Sequence, residues 1–474
     1  MTVEAGSTWS MSTIEELDTI PKILVRNYRD FGQRVAMRQK MLGVWREYTW
    51  NECHDNVKEF SLGLANLGLD RGGKVAIIGD NSPQWYWAEI AAMAVGAVVI
   101  GIHSEASPED LRQLLTQSEA AFVVAKDREQ IEKLLKVKDE FPKLQKVIYW
   151  DTEGMEIYND RDLISFDAVK ELGKDCEETH PGVFERSIQE GKGSDLALLC
   201  YYASWAVDPL PRGIMFNYDS IIQLAPGWRD CRPVHENDNY FSYVSPAMFL
   251  EQKMGIAGGM LTPLVVNFSE EPQLVQEDIR EIGPAILAYP SEILDGMIST
   301  VRTKVQNAGF LRRLVYHCAL PVGYKTSEFR LKGESPNMFW RTLHTCAHLI
   351  LFRPLRDKLG MAHTKVLSTG GSSLAPDVSR FFHAIGINLV QGYSLAECPV
   401  IAVQMELHAG PDTIGSPIPG QHVRVASNGE ILVRGLCLFQ GYHEDEEGTR
   451  KKWRMAGFAV EISASSMRWD GSSY

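Results

Sequence analysis

The stretch DLALLCYYASWAVDPLPRGIMFNYDS, residues 195–220, has the layout of a strand, a sharp loop and the start of a helix. The unbroken apolar run 196–202 predicts a buried strand, which the prolines in Asp208–Pro211 interrupt. The side chain of Asn217 or Asp219 is expected to cap the helix that follows. Such a loop suits phosphate, because free backbone N–H groups at a helix start favour negative charge. The stretch is therefore a candidate phosphate loop, and a purely structural strand-to-helix loop is the alternative.

Strand and helix patterns alternate on both sides of this stretch. Between Lys74 and Asp151 the runs KVAIIGD, AVVIGIH, AAFVVAKD and KVIYWD are separated by amphipathic segments, and the alternation resumes after Gly193. Runs of Val, Ile and Ala without polar alternation predict strands covered on both faces, hence mostly parallel pairing. Later runs such as HVRVA and GEILVRG, between glycine and proline turns, predict a small barrel. The predicted fold is α/β, with two mainly parallel, helix-flanked sheets plus a small distorted β-barrel.

The same patterns suggest where the subdomains begin and end. A first α/β subdomain is predicted over 1–190, and a second, with the phosphate loop, over 191–385. The barrel-like subdomain is predicted over 386–455. Residues 456–474 show no clear period, so we expect an unstructured tail there.

Composition and charge narrow the class of protein. With 45% apolar and 23% charged residues among 474, the chain is typical of a globular protein. A net charge of −13 argues against a nucleic-acid partner, since such partners are held mainly by lysine and arginine. Eight cysteines without a CxxC pair suggest neither a zinc ribbon nor a disulfide scaffold. No secretory signal is visible, so we expect a cytoplasmic location.

Two stretches raise the question of a membrane. Trp85–Ile102 is long enough to cross a bilayer, but Glu89 interrupts it and Gly96 ends its helical pattern. A buried helix followed by a strand is the better interpretation. Asn337–Gly360 reads as an amphipathic helix that covers a core or lies on a membrane, with the core favoured. Peripheral contact with the inner membrane face therefore stays open.

Two stretches of the chain resemble catalytic motifs but lack part of each motif. Gly392–Ala396 follows a strand as a hydrolase nucleophile elbow does, but it ends in alanine where that motif has glycine. His344 and His348 lie four residues apart, as zinc ligands can, but Thr345 stands where a metalloprotease has its glutamate. Neither pattern has its remaining partners placed by motif. We expect packed or solvated histidines and no hydrolase site.

Three further motifs occur in a telling order: TGGSSL at 369–374, QGYSLAE at 391–397 and GEILVRG at 429–435. With the loop at 195–220, this order resembles the adenylate-forming ligases, and in particular the long-chain acyl-CoA synthetases, over about Ile20 to Tyr442. The resemblance implies ATP, Mg²⁺ and coenzyme A as cofactors and a fatty acid as substrate. A fatty acid would be joined to AMP and then passed to coenzyme A. The oligomeric state is not implied.

The resemblance also assigns roles to residues. The ring of Tyr393 would stack on adenine, and the carboxylate of Glu397 would hold Mg²⁺. Arg212 stands where the family has a phosphate-binding lysine, so Arg212 and Glu397 are the expected catalytic residues. The expected nucleotide-binding residues are Gly370, Gly371, Ser372, Gln391, Gly392, Tyr393 and Ala396.

The chain departs from the family at several of these positions. Its phosphate loop has no glycine between Gly193 and Gly213, and Ala396 replaces a threonine that meets a phosphate. The ribose-binding aspartate is missing after Gly457-Phe458, and no C-terminal lid domain is expected. We therefore expect a fatty acid–CoA ligase-like protein with impaired activity. A non-catalytic acyl- or nucleotide-binding protein, or a truncated inactive copy, is the alternative.

Overall fold

The computed structural model describes residues 17–202, 212–222, 234–372, 374–404, 413, 415–426, 430–435, 437–454 and 457–460. The centre of the predicted phosphate loop, 203–211, and most of the predicted tail, 461–474, lie outside the described residues. The chain forms two compact units, one built mainly from the chain up to Ala225 and the other mainly from Leu264–Leu438.

Strands and helices alternate along most of the described chain. In chain order the strands are β1 Val35–Met41, β2 Val44–Thr49, β3 Lys74–Gly79, β4 Val98–His103, β5 Phe122–Ala125, β6 Lys146–Tyr149, β7 Leu163–Ser165, β8 Leu196–Tyr202, β9 Arg212–Asn217, β10 Asn239–Ser242, β11 Val265–Phe268, β12 Ile286–Ala288, β13 Val366–Thr369, β14 Leu389–Leu395, β15 Cys398–Val403, β16 Ser416–Pro417, β17 His422–Val425, β18 Ile431–Arg434, β19 Gly441–Tyr442, β20 Trp453–Arg454 and β21 Gly457–Val460.

The helices follow the same order. They are α1 Ile20–Phe31, α2 Trp50–Asn66, α3 Pro83–Val95, α4 Pro108–Ser118, α5 Arg128–Leu135, α6 Phe166–Thr179, α7 Val183–Glu190, α8 Tyr218–Ile222, α9 Phe249–Glu251, α10 Gly258–Leu261, α11 Val275–Ile282, α12 Ser291–Gln306, α13 Phe310–Leu331, α14 Met338–Ala347, α15 Arg353–Lys358, α16 Pro376–Ala384 and α17 Glu446–Lys452. Two π-helical turns, Gln252–Ala257 and His348–Phe352, and two 3₁₀ turns, Lys138–Glu140 and Pro272–Leu274, complete the set.

The first unit contains an eight-stranded sheet in the order β19-β9-β8-β4-β3-β5-β6-β7. The five pairings from β8 to β7 are parallel. Every side chain from Val75 to Ile78 is fully buried, and successive side chains point to opposite faces of a sheet. Both faces are therefore covered, as the unbroken apolar runs predict.

The structure adds a strand that the sequence analysis did not predict. Arg212–Asn217 pairs antiparallel with β8, with Phe216 opposite Leu198 and Ile214 opposite Cys200. This pairing depends on a partner outside the segment, so its own short apolar run does not reveal it. The helix follows, and the side-chain oxygen of Asn217 accepts from the N–H of Ser220 at 2.9 Å. Asn217 is thus the helix cap.

The apolar stretch Trp85–Ile102 is a helix followed by a strand, as the sequence favours. The hydroxyl of Ser82 accepts from the N–H of Trp85 at 3.3 Å and so caps α3. Gly96 ends the helix with φ of 86°, a left-handed conformation that suits glycine. Among the helices of the described residues, none combines the length and the apolar character that crossing a membrane requires.

Two helices of this unit touch backbone to backbone. A Cβ added to Gly173 on α6 would lie 1.8 Å from the carbonyl oxygen of Glu59 on α2. One added to Gly63 on α2 would lie 2.0 Å from the carbonyl oxygen of Val169 on α6. No side chain fits at these distances, so both glycines are needed for the helices to pack this closely.

Helix α3 of the same unit carries a buried carboxyl group. Glu89 is fully buried, and its Oε2 accepts from Trp85 Nε1 at 3.0 Å and from Gln252 Nε2 at 3.1 Å. Its Oε1 is buried without a hydrogen-bond partner among the described residues. Burial raises the pKa of Glu89 to about 7, and the nearby Glu251 adds to the rise.

The second unit contains strands in the order β16-β15-β14-β13-β12-β10-β11. The pairs β10/β12, β12/β13 and β13/β14 are parallel, and β14, β15 and β16 pair antiparallel. The late segments that predict a small barrel form a four-stranded antiparallel sheet in the order β17-β18-β21-β20. Strand β14 runs on to Leu395, through most of the motif at 391–397, because its end pairs with β15.

The predicted amphipathic helix at 337–360 consists of α14, a π turn and α15. Ala347 and Phe352 are buried, so one side of this helix covers the core, as favoured from the sequence. Phe339 and Ile350 are 67% and 63% exposed. The helix therefore also leaves a second, apolar side in solvent.

We predict that Gly173→Ala destabilises the fold by about 2 kcal/mol or more, because the methyl group forces α2 and α6 apart. Gly296→Ala on α12 is the matched control, since nothing lies within 4 Å of its added Cβ. That substitution should stabilise the helix by about 0.5–1 kcal/mol. Urea unfolding measures both. Equal effects of the two substitutions would contradict the close packing.

We predict that Glu89 makes stability depend on pH. Its folded pKa of about 7 exceeds the ordinary value of 4.5, so the stability it contributes is full below pH 4.5 and is lost as pH rises through 7. The loss amounts to about 3 kcal/mol for a group buried this fully. Glu89→Gln mimics the protonated acid and should remove this part of the pH dependence. Unfolding of both proteins from pH 5 to 8 gives the comparison, and parallel curves would show that Glu89 does not titrate.

Candidate active site

A glycine turn follows the carboxyl end of β13, where the sequence places the nucleotide. A Cβ added to Gly370 would lie 3.0 Å from the carbonyl oxygen of Gly392, so the two backbone segments lie close together. Gly371 has φ of 94° and open space around it. Thr369 and Gln391 are register partners of the parallel pair β13/β14. The structure thus brings together Gly370, Gly371, Gln391 and Gly392.

Ser372 links this turn to the start of α12. Its hydroxyl donates to Oε1 of Glu292 at 2.6 Å and also contacts the hydroxyl of Ser291. The hydrogen bond from Ser372 lowers the pKa of Glu292, because it stabilises the ionised form. Ser372 itself is exposed. The hydroxyl of Ser372 therefore holds the glycine turn against the start of α12, and the residue stays exposed to solvent.

Tyr393 lies two residues beyond Gln391 on β14, opposite Ala402 of β15. Its side chain is buried, and its hydroxyl has no hydrogen-bond partner among the described residues. Burial raises the pKa of Tyr393 to about 12, so the phenol is neutral at physiological pH. A buried hydroxyl without a partner usually marks a place that a water or a ligand satisfies.

A second unpartnered hydroxyl belongs to the neighbouring strand β13, and the sequence analysis did not name its residue as a site residue. Oγ1 of Thr369 is buried without a partner among the described residues. Because side chains alternate along a strand, Thr369, Gln391 and Tyr393 share one face of the sheet. The sequence could have pointed to Thr369 as a site residue, because it directly precedes Gly370 and Gly371 of the expected nucleotide site.

Glu397 and Ala396 form the tight turn of the β14/β15 hairpin, between the paired residues Leu395 and Cys398. Oε1 of Glu397 lies 3.5 Å from Nζ of Lys452, and the glutamate side chain is 13% exposed. Sequence analysis did not foresee this ion pair, because Lys452 is 55 residues further along the chain. The expected metal carboxylate therefore already has a cation beside it.

The described residues show no preformed metal centre. None of their His, Cys, Asp and Glu side chains form a group of three or more that could hold an ion. Mg²⁺ usually keeps several waters and binds through one or two carboxylates plus substrate phosphates. A single carboxylate at Glu397 fits that donor set, provided that phosphate supplies the rest.

Arg212 belongs to the first unit, where it opens β9. Its guanidinium lies 3.6 Å from a carboxylate oxygen of Asp445 and 5.3 Å from the centre of the Tyr442 ring. The side chain is 44% exposed. The predicted phosphate-binding cation thus has a carboxylate neighbour, and the loop residues before it lie outside the described part of the chain.

Neither of the two incomplete catalytic patterns has the geometry of a catalytic site. Gly392–Ala396 runs along a strand into a hairpin turn, whereas a nucleophile elbow needs a turn from strand to helix. The rings of His344 and His348 lie 6.4 Å apart, and burial lowers the pKa of both imidazoles. The described residues place no group of three ligands around them, and the ring of His344 also lies 5.8 Å from the ring of Phe352.

Comparison with known proteins matches residues 24–443 to a family described as AMP-binding enzyme. The long-chain-fatty-acid–CoA ligase FadD15 of Mycobacterium bovis is 24% identical over 442 residues, which cover 92% of this chain and 70% of the relative. The long-chain-fatty-acid–CoA ligase ACSBG2 of Xenopus laevis is 22% identical over 456 residues, covering 91% of this chain and 59% of the relative. The chain thus spans about three fifths to seven tenths of these relatives.

Solved structures show the same fold. The N-terminal domain of FACL13 from Mycobacterium tuberculosis has a TM-score of 0.65 at 16% identity, covering 93% of this chain and 95% of that one. The anthranilate CoA ligase AuaEII in complex with anthranoyl-AMP has a TM-score of 0.65 at 14% identity, covering 93% and 73%. These matches confirm the predicted fold class. Since the family match spans most of its length, this chain belongs to the family of AMP-binding enzymes.

Proposed function

We propose that the chain binds ATP and a long-chain fatty acid and joins them as an acyl-adenylate, at a rate below that of an intact ligase. In this reaction a carboxylate oxygen attacks the α-phosphorus of ATP and pyrophosphate leaves. Transfer of the acyl group to coenzyme A would complete the ligase reaction. Family membership and the names of the relatives support the substrate class. A cytoplasmic location is part of the proposal.

The pair of unpartnered hydroxyls carries this proposal. Thr369 and Tyr393 offer two buried donors on one face of the sheet, next to the turn formed by Gly370 and Gly371. Leaving a buried hydroxyl unsatisfied costs about 1–3 kcal/mol, so a ligand that accepts from it gains affinity. Adenine and phosphate both supply acceptors. The glycines allow such a ligand to approach the backbone closely.

Glu397 is the residue that would hold Mg²⁺. A magnesium ion supplies charge neutralisation for the phosphates and for the pyrophosphate as it leaves. Lys452 competes for the same carboxylate, because both cations need its negative charge. We infer that metal binding displaces Lys452 from Glu397, which costs part of the binding energy.

Residues that depart from the family motifs are the reason for proposing slower acyl-adenylate formation than in ligases that keep those motifs. The phosphate loop lacks the family's flexible glycines, contains the bulky side chains of Trp205 and Val207, and includes Pro209, which has no backbone donor. Ala396 lacks a hydroxyl that a phosphate could accept from, a loss of about 1–3 kcal/mol. Arg212 restores a positive charge to the loop but no backbone donor.

A second candidate function is nucleotide or acyl binding without catalysis. The ion pair between Glu397 and Lys452 favours it, since the carboxylate is neutralised within the chain itself. Calorimetric titration with ATP and with palmitate, together with a turnover assay, distinguishes the two functions. Binding of both ligands without turnover supports the second.

We predict that Tyr393→Ala weakens ATP binding by about 1–3 kcal/mol, because it removes a ring that stacks on adenine. Tyr393→Phe keeps the ring and removes only the hydroxyl, so it should lose a smaller part of the affinity. Titration calorimetry with ATP compares the three proteins. An unchanged affinity in Tyr393→Ala would remove this residue from the nucleotide site.

We predict turnover well below one per second for pyrophosphate release from ATP with Mg²⁺ and palmitate. If the phosphate loop, Ala396 and the missing ribose aspartate each remove ~2 kcal/mol, the rate falls at least about ten-thousandfold, although such losses need not add. Glu397→Gln is the control, because any turnover that belongs to this site should fall further in it. Turnover at an ordinary enzymatic rate would mean that other residues have taken over the work of the loop.

A further inference from the structure

A lysine from the end of helix α17 lies against the turn of the β14/β15 hairpin. Nζ of Lys452 is 3.5 Å from Oε1 of Glu397, and both residues belong to the second unit. The glutamate side chain is 13% exposed and the lysine side chain is 37% exposed. The carboxylate is therefore mostly sheltered, whereas the ammonium group of its partner can still reach solvent.

The neighbouring lysine makes a different contact. Nζ of Lys451 lies 2.7 Å from a carboxylate oxygen of Glu447 one helical turn earlier, and these two side chains are 73% and 78% exposed. Both lysines belong to the last turn of α17, where the helix dipole favours positive charge. Lys451 therefore makes a similar contribution to the helix without approaching the hairpin, and it is a matched control for Lys452.

Strand pairing fixes the backbone on both sides of this ion pair. Glu397 lies in the turn between the paired residues Leu395 and Cys398. Directly after Lys452, residue Trp453 pairs with Phe458 of β21. A lysine side chain has a flexible four-carbon stem, so Nζ of Lys452 can change partner by side-chain rotation while both backbone segments stay in place.

The charges around the glycine turn call for a further cation when a nucleoside triphosphate binds. Glu292 contacts this turn through the hydrogen bond from Ser372, which lowers the pKa of its carboxyl group. Glu397 contributes a second carboxylate on the hairpin. ATP carries more negative charge than a single Mg²⁺ neutralises, so the loaded site stays negative unless the chain itself supplies a cation. Nζ of Lys452 lies beside the carboxylate that would hold the metal.

We propose that Lys452 is a phosphate-binding residue that pairs with Glu397 while the site is empty. Binding of ATP moves its ammonium group from the carboxylate to phosphate oxygens of the nucleotide. A lysine ammonium has three donors and acts as a point charge toward phosphate, which suits this role. The inference rests on the proposed function, since it takes ATP as the ligand. It adds a residue that lies outside the motifs at 195–220, 369–374 and 391–397.

A simpler role for Lys452 would be competition with the metal ion alone. The lysine would then return to solvent on metal binding, and its removal would strengthen the binding of Mg²⁺ and of ATP together. Removal of a phosphate-binding lysine has effects of opposite sign. The binding of Mg²⁺ alone becomes stronger, because Glu397 loses a competing cation, and the binding of ATP becomes weaker. The net negative charge of the loaded site favours this second role.

The test is titration calorimetry of the full chain and of Lys452→Met with Mg²⁺ alone, with ATP in the presence of Mg²⁺, and with adenosine. We expect the affinity for ATP to fall about 10- to 100-fold in Lys452→Met, because a charge-assisted hydrogen bond to phosphate is lost. The affinity for Mg²⁺ alone should rise roughly two- to fivefold. Adenosine has no phosphate, so its affinity should stay the same. Lys452→Arg keeps the positive charge and should retain most of the affinity for ATP.

Lys451→Met is the control, and it should leave all three affinities unchanged. Urea unfolding should show similar stability for Lys451→Met and Lys452→Met, because both remove an exposed or half-exposed charge from the same helical turn. The inference is overturned if Lys452→Met binds ATP as tightly as the unchanged chain or more tightly, or if it loses affinity for adenosine to the same extent. If the unchanged chain does not bind ATP in the presence of Mg²⁺, the proposed function fails and the inference fails with it. The two failures are distinguishable, since the first shows only in the variant and the second already shows in the unchanged chain.

Discussion

Parallel strands cannot be joined by short turns, and this constraint shapes both units. Each connection between parallel neighbours needs a crossover, which places helices over the sheet. The full burial of Val75–Ile78 and of Phe122–Ala125 shows the result in the first unit. Parallel pairing also gathers the carboxyl ends of the strands at one edge. In the second unit Thr369 and Gln391 meet at that edge, and this places the glycine turn beside the start of the β14 hairpin.

Local features of the sequence predicted local features of the fold. Ser82, Pro83 and Gly96 define the start and end of α3, because capping depends on groups only a few residues apart. Asn217 was predictable as a cap for the same reason. Strand β9 was not, since its segment becomes a strand only by pairing with β8. The extension of β14 to Leu395 likewise depends on its pairing with β15.

The site shows the same division between local and distant causes. Motif order placed the residues from Gly370 to Ser372 near Gln391 and Gly392, and the structure brings the glycines within contact distance. The pairing of Glu397 with Lys452 follows from tertiary folding and leaves no trace in either motif. Hydrogen-bond satisfaction is also invisible in a sequence. The unpartnered state of Thr369 became apparent only from its surroundings.

One hairpin, made of two short antiparallel strands and a tight turn, carries both Tyr393 and Glu397. Tyr393 lies on its first strand and Glu397 lies in its turn. Only three residues separate the aromatic ring from the carboxylate at the tip, and backbone pairing with β15 flanks both positions. A ligand that moved the ring would therefore also displace the carboxylate, and a cation that pulled on the tip would displace the ring. In the proposed function, recognition of adenine by Tyr393 and recognition of a cation by Glu397 would therefore be coupled through this hairpin. Substitutions at buried Ala402, the cross-strand partner of Tyr393, would then change cation binding at Glu397 as well as binding at the ring.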